Sequence, residues 1–143
     1  MSDSSGTRSE DRGPGDIDTS TPSIARVYDA VLNGKDNFAV DRAVRDELVT
    51  AHPEGLILAR DNREWLIRVV RYLAGTAGID QFLDCGSGLP TAENTHQVAQ
   101  RANTESRIVY VDNDPVVAAH GRALLEDNDR TRFTDADVRH PRT

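Results

Sequence analysis

The spacing of apolar residues changes character once along this chain, at about residue 76. Before that point the period is helical. Ile24, Val27, Tyr28, Val31 and Leu32 follow the i, i+3, i+4, i+7, i+8 spacing of one buried face. Thr21 is read as the N-cap of that helix, Pro22 as its first residue and Asn33-Gly34 as its end, with Gly34 as C-cap. A second helix is expected over Asp41 to Thr50, with Pro53 breaking it. A third should run from about Leu56 to Leu73, turning Leu66, Val69, Val70 and Leu73 inward before Gly75. After Gly78 the pattern becomes short apolar runs separated by helices: Gln81 to Asp84, a helix to about Ala102, Arg107 to Val111, a helix from Pro115 to Leu125, and Arg132 to Ala136. Strands alternating with helices imply right-handed crossovers and a parallel sheet, hence an α/β fold.

Three stretches follow from this change of period. Residues 1–20 are rich in Ser, Gly, Asp and Arg and nearly free of apolar side chains, the composition of a disordered tail. Residues 21–75 form an N-terminal helical cap, and residues 78–143 an α/β unit of about three strands.

Charge and composition narrow the partners. A chain of 143 residues ordinarily makes one domain. None of its apolar runs approaches the ~18 residues of a transmembrane helix, so no membrane role is expected. The formal charge of −7 argues against a nucleic-acid partner and for a small-molecule substrate. A single cysteine and the lack of a charged-then-apolar opening segment fit a reducing cytoplasm.

The candidate chemistry begins at Phe82-Leu83-Asp84-Cys85-Gly86-Ser87-Gly88-Leu89-Pro90-Thr91, where an apolar strand runs through an acid into a Gly-x-Gly turn before a helix. Glycines let backbone approach a ligand that a Cβ would repel, and a helix N-terminus offers unpaired N–H groups. An adenosine-bearing cofactor is the expected ligand. A dinucleotide fingerprint would carry a third glycine where Thr91 stands, which weakens an NAD reading. Asp84 would repel a pyrophosphate but suits a cationic amino-acid end, which favours S-adenosyl-L-methionine. The next strand ends in Tyr110-Val111-Asp112-Asn113-Asp114-Pro115, with Asp112 about 24 residues past the turn, near the ~20 expected of a ribose-binding acid. Asp112 is assigned to the ribose hydroxyls; Asp114, before Pro115, reads as a helix N-cap.

Taken in order, these segments resemble the class I S-adenosylmethionine-dependent methyltransferases, and within them a bacterial S-adenosyl methyltransferase group formerly a domain of unknown function. The likeness extends over Pro22 to Asp29, Leu32 to Phe38, Arg63 to Leu66, Arg71 to Ala74 and Tyr110 to Pro115, spanning roughly residues 20 to 139. Cys85 and Ser87 depart from the group's usual aliphatic residue and threonine. The resemblance implies a Rossmann-like parallel sheet and methyl transfer to an acceptor. It implies cofactor contacts from Asp84, Gly86, Ser87, Gly88, Asp112 and Asn113, and an acid near the adenine amino group. Of Asp135 and Asp137, the latter is favoured. It also makes Asn33 to Phe38 a candidate lid, with Tyr28 and Asn37 as contacts; a Walker phosphate loop is excluded there by spacing.

The remaining conspicuous residues are given structural roles. His52, His96, His120 and His140 lack metal-ligand spacing, so no metal is expected and surface or helix-face positions are assigned to them. Cys85 is read as packing rather than as a nucleophile, and Trp65 as core. No catalytic base is identified.

Such methyltransferases have a sheet of about seven strands. Only the first three are expected here, so the chain is read as a truncated cofactor-binding portion, inactive alone. A second copy or another partner supplying the missing strands is left open. Two other readings stand beside the methyltransferase: a non-catalytic S-adenosylmethionine-binding module, and a nucleotide-sugar or NAD enzyme.

Overall fold

A computed structural model describes residues 17–91 and 93–140. Of the tail expected over residues 1–20, residues 1–16 lie outside the described residues, as do residues 141–143 at the end of the α/β unit. The elements run α1 (Ile24–Val31), α2 (Ala39–Ala51), α3 (Gly55–Gly75), β1 (Gln81–Cys85), α4 (Thr95–Ala102), β2 (Arg107–Asp112), α5 (Pro115–Leu124) and β3 (Thr131–Asp135). The three strands form a parallel sheet in the order β1-β2-β3, so the fold is α/β behind a helical cap, as the period of the sequence predicts, with the Rossmann-like sheet that the resemblance implies. Among the described residues no helix is long and apolar enough to cross a membrane.

Strand register explains where the core sits. Phe82 pairs with Ile108 and Asp84 with Tyr110; Ile108 pairs with Thr131 and Tyr110 with Phe133. Side chains two apart share a face, so these residues project together. Ile108, Tyr110 and Phe133 are buried in one cluster with Val70 and Ala74 of α3, Val98 and Ala99 of α4, and Val117 of α5. The opposite face is poorly covered. Leu83 is 67% exposed and Cys85 is also exposed, so the packing role expected of Cys85 is corrected: its strand position turns it away from the helices.

The cap departs further from its hydrophobic pattern. On α1 the buried residues are Arg26, Val27, Asp29 and Ala30, while Ile24 is 90% exposed and Tyr28 is exposed. A polar network, not the apolar stripe, sets that face. The Arg26 guanidinium meets the Asp41 carboxylate at 2.9 Å with both side chains buried. It also donates to the carbonyls of Asp18 and Thr21, and lies over the Phe38 ring at 5.2 Å. Asp41 in turn accepts the amides of Ser23 (3.1 Å) and Phe38 (2.8 Å), the latter satisfying the N-cap of α2. Burial pushes the Asp41 carboxyl up, but those two amides and the guanidinium together hold it below the usual carboxylate value.

This network shifts the first helix boundary. The N-cap of α1 is Ser23, whose carbonyl accepts the Val27 amide at 2.9 Å, while the Thr21 carbonyl accepts from Arg26. The left-handed residue closing the helix is Asn33, at φ 59°, not Gly34. Gly34 is needed for a different reason: a Cβ there would stand 1.9 Å from an Asp29 carboxylate oxygen. Trp65, expected in the core, is 55% exposed on α3.

Candidate functional site at the strand ends

The carboxyl ends of β1 and β2 bring two of the sequence-assigned acids against the glycine turn. Gly86 and Gly88 adopt φ of +70° and +67°, a conformation that L side chains rarely take. The Gly86 amide donates to the Val111 carbonyl at 2.8 Å, folding the turn over the end of β2. Asp112 then clasps it: one carboxylate oxygen accepts the Gly88 amide at 2.9 Å and the other the Asp114 amide at 2.9 Å. Each oxygen retains a further lone pair.

Asp84 is half-buried under α4, accepting the Thr95 hydroxyl at 2.6 Å. Asn113 is exposed beside Asp112. Asp114 is the N-cap of α5, as expected, accepting the Val116 amide at 2.8 Å ahead of Pro115. It also takes the Ser23 hydroxyl, tying α1 to α5.

The outer assigned residues sit differently. Asp137 follows β3 and is paired with Arg139 at 2.7 Å and with His140 at 3.3 Å. Hydrogen bonds from Arg139, led by its side chain, hold that carboxyl well below the usual range. Asp135 ends β3 opposite Asp112, exposed and 4.0 Å from Arg122. Tyr28 faces α3, its hydroxyl 3.4 Å from the Ala59 carbonyl and from the Asn62 amide. The Asn37 amide donates to Asp29 (2.8 Å) and to the Gly34 carbonyl (2.9 Å), so it shapes the Asn33–Phe38 loop from within.

The helix after the turn begins later than expected. α4 starts only at Thr95, with Asn94 as N-cap, because Leu89 enters the core and the following loop is pinned separately. Asn94 accepts the Thr91 amide at 2.8 Å and donates to the Thr91 carbonyl at 3.0 Å. Arg63 of α3 donates to the Thr91 hydroxyl and to the Glu93 carbonyl. Thr91 thus does more than fill the place of an absent glycine. It joins the loop to the cap through a long-range contact that no local spacing announces.

Beside this loop lies a cleft of about 750 Å³, open between the Leu32–Asp36 segment, one side of α3 around Arg60 and Arg63, and Pro90-Thr91. The glycine turn and Asp112 are not among its lining residues.

His96, expected at a surface or helix-face position, lies on the buried face of α4 and is 1% exposed. Its backbone amide donates to the Tyr110 hydroxyl at 2.8 Å, its Nδ1 lies 2.9 Å from the same hydroxyl, and its Nε2 is 3.2 Å from Asp127. One arrangement satisfies every group, with Tyr110 donating to Nδ1 and Nε2–H donating to Asp127. Burial, and after it the nearby Asp84 charge, push the Tyr110 hydroxyl well above its ordinary value against the opposing His96 amide.

Comparison with known proteins adds a family. A profile described as S-adenosyl methyltransferase matches residues 10–143. The chain is similar to a solved structure from Thermobifida fusca YX described as a "putative methyltransferase", at 57% identity and a TM-score of 0.82, over 85% of this chain and 46% of that one. It is also similar to a DUF574 family protein from Streptomyces avermitilis MA-4680, at 43% identity and a TM-score of 0.79, over 84% of this chain and 47% of that one. The chain therefore spans just under half the length of either solved relative. No curated protein matched.

Proposed function

Because the chain belongs to the S-adenosyl methyltransferase family, we propose that it binds S-adenosyl-L-methionine at the carboxyl ends of β1 and β2 as the cofactor half of a methyltransferase. The observation that carries this reading is the Asp112 carboxylate holding the Gly88 amide at 2.9 Å while keeping acceptor capacity for a pair of ribose hydroxyls. Two further features fit such a ligand. A Cβ built on Gly86 or Gly88 would meet no atom within 4 Å, so the turn borders open space. Between them the Ser87 hydroxyl is buried without a hydrogen-bond partner among the described residues, the kind of polar atom that a ligand or water satisfies.

In this reading Gly86, Ser87 and Gly88 line the cofactor's path, Asp112 and Asn113 meet its ribose, and Asp84 receives its ammonium. Asp137 meets the adenine amino group after releasing part of its hold on Arg139. The Asn33–Phe38 loop, shaped by Asn37, acts as lid. Tyr28 would have to leave Ala59 and Asn62 to reach the same ligand.

The bound cofactor would supply an already activated methyl group. The protein's share is proximity and orientation, and the acceptor is a small molecule in a cytoplasmic setting. The described residues offer no assigned base for a protic acceptor, so the chain alone should bind without turnover.

Calorimetric titration with S-adenosylhomocysteine, with NAD as control, tests the proposal. Saturable binding of the homocysteine analogue alone is expected, lost in Asp112→Ala and retained in the exposed-site variant Trp65→Ala. A chain that is folded by circular dichroism yet prefers NAD, or binds neither, would overturn it.

A further inference from the structure

Three successive residues at the start of α4 are each bonded to a different element. Asn94 holds the loop at Thr91, the Thr95 hydroxyl donates to the Asp84 carboxylate of β1 at 2.6 Å, and the His96 amide donates to the Tyr110 hydroxyl of β2 at 2.8 Å. Asp84 and Tyr110 are register partners on adjacent strands, so their side chains stand together on the face that α4 covers. Amides in the first turn of a helix have no partner within it. Tyr110 takes one of them, and this contact fixes where α4 begins over the strand ends.

The contact is more elaborate than packing requires. Tyr110 is buried, and a phenylalanine would fill nearly the same volume with no hydroxyl to desolvate. The hydroxyl instead meets His96 twice, at its amide and at Nδ1 (2.9 Å), with the two rings edge to face. Asp127, in the segment between α5 and β3, holds the far side of the imidazole at 3.2 Å from Nε2. The turn from which Thr95 reaches Asp84 is thus secured from β2 and from the loop after α5.

Only one oxygen of Asp84 is engaged by Thr95. The other, Oδ1, has no hydrogen-bond partner among the described residues. A carboxylate held through one oxygen presents the second in a set direction, and a preorganised acceptor loses less freedom when a ligand arrives.

Resting on the reading of Asp84 as the ammonium acceptor, we propose that Tyr110 and His96 are positioning residues for the amino-acid end of the cofactor, setting the first turn of α4 so that the Thr95 hydroxyl orients Asp84. Both act through Thr95 rather than on the ligand.

Calorimetric titration with two ligands tests this: S-adenosylhomocysteine, and 5′-(3-carboxypropylthio)adenosine, which keeps the nucleoside and carboxylate but lacks the amino group. The wild-type chain should prefer the first. Tyr110→Phe and Thr95→Val should each weaken S-adenosylhomocysteine about fivefold, the net contribution of one hydrogen bond, and leave the deamino analogue within about twofold. Thr95→Ser keeps the hydroxyl and should retain wild-type affinity for both. In an Asp84→Asn background, Tyr110→Phe should add no further loss, since the two changes then remove the same interaction.

Equal weakening of both ligands in Tyr110→Phe and Thr95→Val would reduce these residues to general support of the fold and overturn the proposal. So would unchanged S-adenosylhomocysteine affinity in Thr95→Val, or additive losses in the Asp84→Asn background. In each of those cases the cofactor reading stands, because the wild-type chain still binds S-adenosylhomocysteine. A folded wild-type chain that does not bind it would overturn the cofactor reading, and this proposal with it.

Discussion

The two parts of the molecule are held together by opposite means. Around the sheet, apolar side chains at strand period meet apolar helix faces, with Ile108 and Val117 fully buried at the centre. In the cap, the most deeply buried large side chain is Arg26, paired with a fully buried Asp41. Hydrophobic burial is non-directional and tolerates imprecise partners; a buried ion pair depends on every donor finding its acceptor. The cap should therefore be the more brittle region to single polar substitutions, and the sheet the more graded.

That contrast breaks most sharply at the clasp. Arg26→Ala leaves the Asp41 charge buried and should cost about 3–5 kcal/mol, read from urea denaturation. Hydrogen exchange should accelerate first in α1 and α2 while β2 amides stay protected. Combining Arg26→Met with Asp41→Asn removes the charge yet leaves an acceptor for the Phe38 amide, and should recover much of the loss. If the double variant is no better than Arg26→Ala, the clasp is not electrostatic in the sense argued.

In the apolar half, Ile108→Ala should cost about 2–5 kcal/mol through lost burial and the cavity left behind, without separating cap from sheet in exchange. Gly121→Ala should cost about 1–3 kcal/mol by overpacking, since its Cβ would stand 2.4 Å from the Phe133 ring. Both are followed by thermal melting.

The smallest effect sharpens the clasp alone. Asp41 has a folded value below its unfolded one, so its contribution is fully present above about pH 4. It is lost as pH falls through the folded value, because the unfolded state then binds the proton more readily. Urea midpoints measured downward from pH 6 should drop more steeply in the wild-type chain than in Asp41→Asn.

The same contrast governs what the sequence revealed. The parallel sheet, the glycine turn and the position of Asp112 at the end of β2 were legible because strand period and loop chemistry are local: Arg107 to Val111 alternates faces wherever it packs, and the Asp114-Pro115 cap needs only its neighbours. The face of α1 was not. Its stripe predicts Ile24, Val27 and Tyr28 buried, and only Val27 is; Arg26 took the interior beside it because Asp41, across an intervening loop, supplied a partner. Arg63 with Thr91 and His96 with Tyr110 escaped for the same reason, each polar pair being joined only by the fold. Cys85 misled differently, since an apolar strand residue announces a face but not whether any element covers it.

The most direct test of the central claim, that the strand ends rather than the cap hold the cofactor's nucleoside, is a crystal structure of the chain grown with S-adenosylhomocysteine. The account predicts ribose hydroxyls within hydrogen-bond distance of the Asp112 carboxylate and the ligand passing over Gly86 and Gly88. The cap has its own apolar groove, lined by Tyr28, Leu48 and Leu58 between α1, α2 and α3, and a nucleoside seated there instead would contradict it.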